Sequence, residues 1–143
     1  MWKRNSWQSL ETFCRQSRGD YLARKGLPML LFLKDSGHFV GVSGLHKLNW
    51  KHKQTELGYW CHSERQGLGL ISEAVRAICA FSQQALGLHR IACLADAENL
   101  SSRRVAERAG CQREGILRNE RIAPDGSLRD TALRAGQLNP KTP

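Results

Sequence analysis

The stretch ERQGLGLISEA, residues 64–74, constrains this chain more than any other. Before it lies TELGYWC (55–61), which reads as a strand. After it, residues 70–86 repeat apolar side chains at Ile71, Ala74, Val75, Ile78, Phe81, Ala85 and Leu86. That i, i+3, i+4 spacing predicts a helix. Gly67 and Gly69 stand where the helix should begin, although glycine costs about 1 kcal/mol relative to alanine inside a helix. Such a turn suits a need for bare backbone. The first N–H groups of a helix have no intrahelical partner, and the macrodipole adds about half a positive charge there. Glycine lets an anion approach them without a Cβ in the way. Two familiar phosphate loops are excluded. No Gly-Lys-Ser/Thr follows, and a GxGxxG fingerprint would need glycine where Ser72 stands. Alone, Gln66-Gly67-Leu68-Gly69 fits a tight strand-to-helix turn as well as it fits an anion cradle.

The rest of the chain supplies the frame. Ser6 or Ser9 could cap a first helix running to Lys25, with Gly26 ending it. Strands are predicted over 29–34, 39–48 and 55–61, with a glycine turn at 34–38. Gly87 should stop the long helix, and 89–95 reads as the next strand. Asn99 is a strong N-cap for a short helix ending at Ala109, with Ser102 at its third position and Gly110 as the stop. Residues 111–118 and 128–136 read as the last strands, turning through 124–126, and the tail 139–143 should be frayed. The expected fold class is mixed α/β: a single domain over 1–143 with one central sheet.

Composition narrows the function classes. Hydrophobic residues make up 41% and charged residues 24% of the 143, which suits a soluble globular chain. The longest apolar run, Leu27–Leu33, has the length of a buried strand, so no membrane span is expected. Met1-Trp2-Lys3-Arg4 leads into polar residues, so no signal peptide is expected either. The five cysteines, Cys14, Cys61, Cys79, Cys93 and Cys111, show no zinc spacing, and neither do the histidines. The expectation is reduced, mostly buried thiols in a cytoplasmic protein, with no metal site. A net charge of +9 points to a nucleic-acid or ribosome surface, a polyphosphate ligand, or simply a solvated basic exterior.

Several motifs in order carry a resemblance. GLHKLNW (44–50), ELGYW (56–60), QGLGLISEA (66–74), GLHRI (87–91), ENLSSRRVAERAGC (98–111), EGILR (114–118) and LRD (128–130) together resemble the GNAT N-acetyltransferase family. Within it they are similar to the ribosomal-protein serine/alanine N-terminal acetyltransferases. The match runs from about Phe39 to Ala135. It implies an acyl-CoA N-acyltransferase fold: a mixed, mostly antiparallel twisted sheet flanked by helices. It also implies that the backbone of Gln66, Gly67, Leu68, Gly69, Leu70 and Ile71 holds the pyrophosphate of acetyl-CoA. The strand ending at Cys61 would splay from 89–95, and the pantetheine arm would pair with Trp60, Cys61 and His62. Asn99 would contact the pantetheine, Ser102 would lie near the thioester sulfur, and Arg103 or Arg104 would reach a phosphate.

The implied reaction is attack of a primary amine on the thioester. The amine must lose a proton, so a base is needed. Glu56 is the first candidate and Glu120 the second, though spacing does not decide between Glu120 and Arg121 for the family's glutamate. A backbone N–H near the end of 59–61 would receive the oxyanion, and Ser102 would serve the leaving thiolate. The expected acceptor is the N-terminus of a protein, with ribosome association. The alternatives are a small amine such as an antibiotic or polyamine, and a non-catalytic acyl-CoA or ribosome-binding remnant. Three departures stand out. Ile71 replaces a common Gly or Ala, and Cys111 replaces the usual Phe. The chain also opens near the family's tryptophan-containing loop (Trp2, Trp7), as if the first strand and helix were absent. An unpaired sheet edge would favour a homodimer.

Overall fold

The computed structural model describes residues 7–137; of the side chains of 7–9 and 137 nothing is stated. The expectations for Trp2, Ser6 and the tail 139–143, and for the side chains of Trp7 and Ser9, lie outside the described residues. The elements follow the order α1 (Trp7–Leu22), β1 (Leu27–Phe32), β2 (Phe39–Asn49), β3 (Gln54–Cys61), a 3-10 turn (Ser63–Arg65), α2 (Leu70–Gln84), β4 (Arg90–Asp96), α3 (Leu100–Arg108), β5 (Gln112–Ile122) and β6 (Leu128–Gln137).

They build one six-stranded sheet in the order β1-β2-β3-β4-β6-β5. Every neighbouring pair is antiparallel except β3–β4. The expected mixed, mostly antiparallel sheet is therefore present. α2 packs on β2 and β3, while α3 packs on β4, β5 and β6, and the two helices meet each other. α2 buries Ile71, Val75, Ile78, Cys79 and Ser82. Phe81, expected on that stripe, is instead 44% exposed. Ser82 takes the buried place and satisfies its hydroxyl on the Ile78 carbonyl at 2.7 Å. Below α2 lie Leu45, Leu57, Leu88 and Ile91, all nearly or fully buried. Each such side chain contributes about 1.5–3 kcal/mol on leaving water. At Gly41 a Cβ would collide with the Trp60 carbonyl, so β2 and β3 can approach only with glycine there.

Two boundaries differ from expectation. α1 ends at Leu22 rather than Lys25, because the Lys25 and Gly26 N–H groups both turn back to the Asp20 carbonyl, at 2.7 and 3.2 Å. Arg24, at φ +57°, takes the left-handed position that Gly26 was expected to supply. β1 starts two residues early, at Leu27. Of the cysteines, Cys79, Cys93 and Cys111 are buried, Cys61 is half-buried and Cys14 is exposed. Cys93 and Cys111 place their sulfurs 3.8 Å apart, so Cys111 is a packing residue of the core. No group of three or more metal-binding side chains occurs among the described residues.

Candidate active site

β3 and β4 are paired only through Gln54↔Arg90, Thr55↔Ile91 and Glu56↔Ala92. Beyond Glu56 they part, as the family resemblance implied. The His62 N–H is bonded to the Val40 carbonyl at 2.8 Å. In an antiparallel ladder these bonds alternate, so Gly58 and Trp60 also turn their backbone groups to β2. Tyr59 and Cys61 turn theirs into the gap. Of the three residues expected to pair with an extended ligand, Cys61 is thus presented to it, while Trp60 and His62 turn their backbone groups to β2.

One end of the gap is the glycine turn. Gly67 and Gly69 both sit at φ +75°, a region open to glycine and strained for other residues. A Cβ at either would meet nothing within 4 Å, so φ, not space, demands glycine. Gly69 is the N-cap of α2 and offers no side-chain hydrogen bond. Among the described residues the first amides of α2 therefore have no side-chain cap, in the geometry that binds anions. Gln66 Nε2 reaches back to the Cys61 carbonyl at 3.5 Å, and the Nδ1 of His62 accepts from the Glu64 N–H at 3.3 Å.

The opposite wall is the start of α3. Asn99 Oδ1 accepts the Ser102 N–H at 3.1 Å, the expected N-cap. Tyr59 spans the gap from β3, and its hydroxyl donates to the Ser102 carbonyl at 2.5 Å. Burial pushes the Tyr59 phenol up to about 12, so it remains a donor throughout the neutral range. The approach to Asn99 is also braced. Asp96 accepts the Glu98 N–H at 2.9 Å, and Arg129 holds the Asp96 carboxylate at 2.9 and 3.0 Å. That guanidinium keeps the Asp96 carboxyl down, at about 2.

The resulting cleft has a volume of about 520 Å³, within the usual range of ligand pockets. Gln66, Gly67, Gly69, Leu70, Ile71, Asn99 and Ser102 line it, together with Trp60 and Cys61. Arg65 enters from the glycine-turn side, and Arg104 and Arg108 from one face of α3. Uncapped amides and three guanidiniums suit a polyanionic ligand whose extended arm runs between the strands.

Other expected residues lie elsewhere. Arg103 does not line the cleft: its guanidinium donates to the Ala97 carbonyl at 2.8 Å. Arg104, the other residue weighed for that role, does line it. Leu68 and His62 are not among the lining residues, and Leu68 is 64% exposed. Glu56 is on the last rung before the split, on the face opposite Leu57 and Tyr59. Its carboxylate meets Lys47 Nζ at 3.2 Å. Glu120 lies out on β5, where the buried Thr131 hydroxyl donates to it at 2.5 Å and Arg121 stands 3.7 Å away. Neither carboxylate lines the cleft. Sequence reasoning missed Tyr59, Arg65 and Arg108. The spacing of Arg104 and Arg108, four apart on a helix, is a signal that could have found Arg108; nothing in the sequence singles out Tyr59 or Arg65.

Comparison with known proteins gives the family. The description "Acetyltransferase (GNAT) domain" matches residues 2–112. The ribosomal-protein-serine acetyltransferase of Escherichia coli (strain K12) is 28% identical over 104 residues, which are 73% of this chain and 58% of that protein. The chain spans slightly more than half the length of the curated relatives it matches. The structure of RimL, a ribosomal L7/L12 alpha-N-protein acetyltransferase in complex with coenzyme A, superposes with a TM-score of 0.86 at 19% identity, covering 94% of this chain and 74% of that one. A spermidine N-acetyltransferase of Vibrio cholerae gives 0.81 at 19% identity, covering 96% and 80%. At such identities these two speak for the fold, and it is the domain match over most of the sequence that makes this chain a member of the GNAT acetyltransferase family.

Proposed function

We propose that this chain transfers the acetyl group of acetyl-CoA to a primary amine, the N-terminal amine of a protein. The observation that carries the reading is the split between β3 and β4, with an uncapped glycine turn at one end and Asn99 and Ser102 on the wall. Acetyl-CoA supplies the activated acyl group. The amides from Gly67 to Ile71, with Arg65, Arg104 and Arg108, receive its phosphates. The backbone of Tyr59 and Cys61 takes the pantetheine as an added strand and offers an N–H to the thioester oxygen. Ser102 donates a hydrogen bond to the leaving thiolate, which takes its proton from water. The chief contribution is positioning.

The amine approaches with Glu56 or Glu120 as the group that takes its proton. Each sits beside a cation, Lys47 or Arg121. Asp96 and Glu98 share Arg129 in the same way. A polyamine would have to displace these cations, whereas a single amine on a peptide need not, and the net charge of +9 also disfavours a polycation. The names of the Escherichia coli relative and of RimL support a ribosomal protein as the acceptor.

The test incubates the protein with acetyl-CoA and either peptides bearing free N-termini or spermidine, following release of free thiol. Acetylated peptide with inert spermidine is the expected result. Acetylated spermidine alone moves the acceptor to small amines. Calorimetric binding of acetyl-CoA with no transfer to either leaves a cofactor-binding module. Glu56→Gln and Glu120→Gln then separate the two bases, since the active one should cost about 10²–10⁴-fold in kcat.

A further inference from the structure

The end of the sheet away from the cleft collects lysine, arginine and histidine side chains from three separate segments. The β2–β3 turn exposes Lys51, His52 and Lys53, with Lys47 just before it. The α1–β1 connection brings Arg24 and Lys25. These are tied to the turn by the Leu48 N–H to the Lys25 carbonyl at 3.0 Å and the Trp50 indole N–H to the Arg24 carbonyl at 2.8 Å. The Arg24 guanidinium also lies 4.5 Å above the Trp50 ring. From the α2–β4 connection, the His89 N–H donates to the Lys53 carbonyl at 2.9 Å. The sequence shows three unremarkable short clusters, and the fold makes them one surface.

Backbone geometry marks the same place. Arg24, Lys47 and Lys53 have φ of +57°, +50° and +53°, where glycine or asparagine would be less strained. The left-handed turns at this end thus carry long cationic side chains. Among the described residues, only Lys47 of these three has an acidic partner within ion-pair distance, Glu56 at 3.2 Å. The patch crosses β1 to β4, four strands spaced roughly 4.8 Å apart, so it is about 15 Å wide. β3 starts at this end and finishes at the cleft. At about 3.3 Å per residue, the two regions lie ~20 Å apart.

We propose that this surface binds the phosphodiester backbone of a nucleic acid without reading its sequence. A duplex presents one charge per ~1.7 Å of axis, so a 15 Å patch faces several phosphates at once. The exposed residues of turn 51–53 are all lysine or histidine and offer no apolar side chain to insert into a bilayer. A nucleic acid therefore fits better than a membrane. The proposal is independent of the acetyl-transfer reading, because it uses none of the cleft residues.

The test is fluorescence anisotropy of labelled 20-mers of single-stranded RNA, double-stranded RNA and double-stranded DNA, titrated between 50 and 200 mM salt. With about four phosphates neutralised, log K against log salt should fall with a slope of about −3 to −4. The variant Lys25→Gln/Lys51→Gln/Lys53→Gln leaves the Arg24–Trp50 stack in place. It should weaken binding at least tenfold at low salt and flatten the slope by about 2–3. Singly, Lys51→Gln and Lys53→Gln should each flatten it by about 1, and circular dichroism confirms that each variant is folded. Which 20-mer binds best names the nucleic acid. The proposal is overturned if the triple variant binds like the parent, or if Arg104→Gln/Arg108→Gln abolishes binding instead, which would put the phosphates in the cleft. Binding to vesicles containing phosphatidylserine, with none to any 20-mer, would also overturn it.

Discussion

Two helices begin at the walls of the same cleft and begin in opposite ways. α2 starts on Gly69, in a left-handed conformation with no capping side chain. α3 starts on Asn99, whose side-chain Oδ1 accepts the Ser102 N–H, while Tyr59 holds the Ser102 carbonyl from across the gap. The first helix leaves its donors open and the second closes them internally. An uncapped start is less stable but available to an anion, whereas a capped start holds a side chain at a fixed place. On the function proposed above, one wall would grip phosphates and the other would position Ser102, and that division needs both kinds.

The sharpest way to break this contrast is to deny the α2 start its shape. Gly67→Val/Gly69→Val forces a β-branched residue into φ +75° at both positions. It should lower acetyl-CoA affinity by about 100-fold or more, since each amide bond to a charged group is worth about 1.5–3 kcal/mol. Calorimetry reads this, and retained affinity would mean the turn does not hold the phosphates. Next is Tyr59→Phe, which unties the α3 start while leaving the α2 start alone. A lost hydrogen bond of about 1 kcal/mol should appear as a fall of about fivefold in kcat, with acetyl-CoA affinity nearly unchanged.

The same variant has a pH signature. The Tyr59 phenol titrates at about 12 in the folded chain against 10.0 ordinarily. The stability it contributes is complete below 10 and lost as pH rises toward 12. Urea melts across that window should fall more steeply for the parent than for Tyr59→Phe.

Asn99→Ala removes the cap itself. It should cost about 1 kcal/mol, or roughly 2–5 °C in Tm, and Asn99→Asp should restore most of it. Smallest is the brace ahead of the cap. Asp96 is held at about 2 against 3.8 by Arg129, so what it adds is complete above 3.8 and lost as pH falls through 2. Melts from pH 5 to 2 should fall slightly less for Asp96→Asn than for the parent.

Much of this contrast was legible in the sequence, because its causes are local. Gly67, Gly69 and Asn99 fix helix starts through their own backbone and side-chain preferences, and the stripe Ile71-Val75-Ile78 oriented α2. What could not be read depends on distant segments meeting. Tyr59 looked like one more strand residue until its hydroxyl was seen against Ser102, 43 positions on. Arg103 and Arg104 are adjacent in sequence, and only the rotation of α3 sends one to the Ala97 carbonyl and the other into the cleft. His62 was lost to the site by ladder parity, which requires knowing how β3 pairs with β2.

The split sheet has a mechanical consequence. β1–β3 and β4–β6 form two blocks whose strands pair along only Gln54, Thr55 and Glu56. An extended molecule lying between them would act as a removable crossbar. Its arrival should slow amide hydrogen exchange on both sides of the seam and raise the melting temperature in proportion to the logarithm of its concentration. Stability and occupancy would then be read by one thermometer.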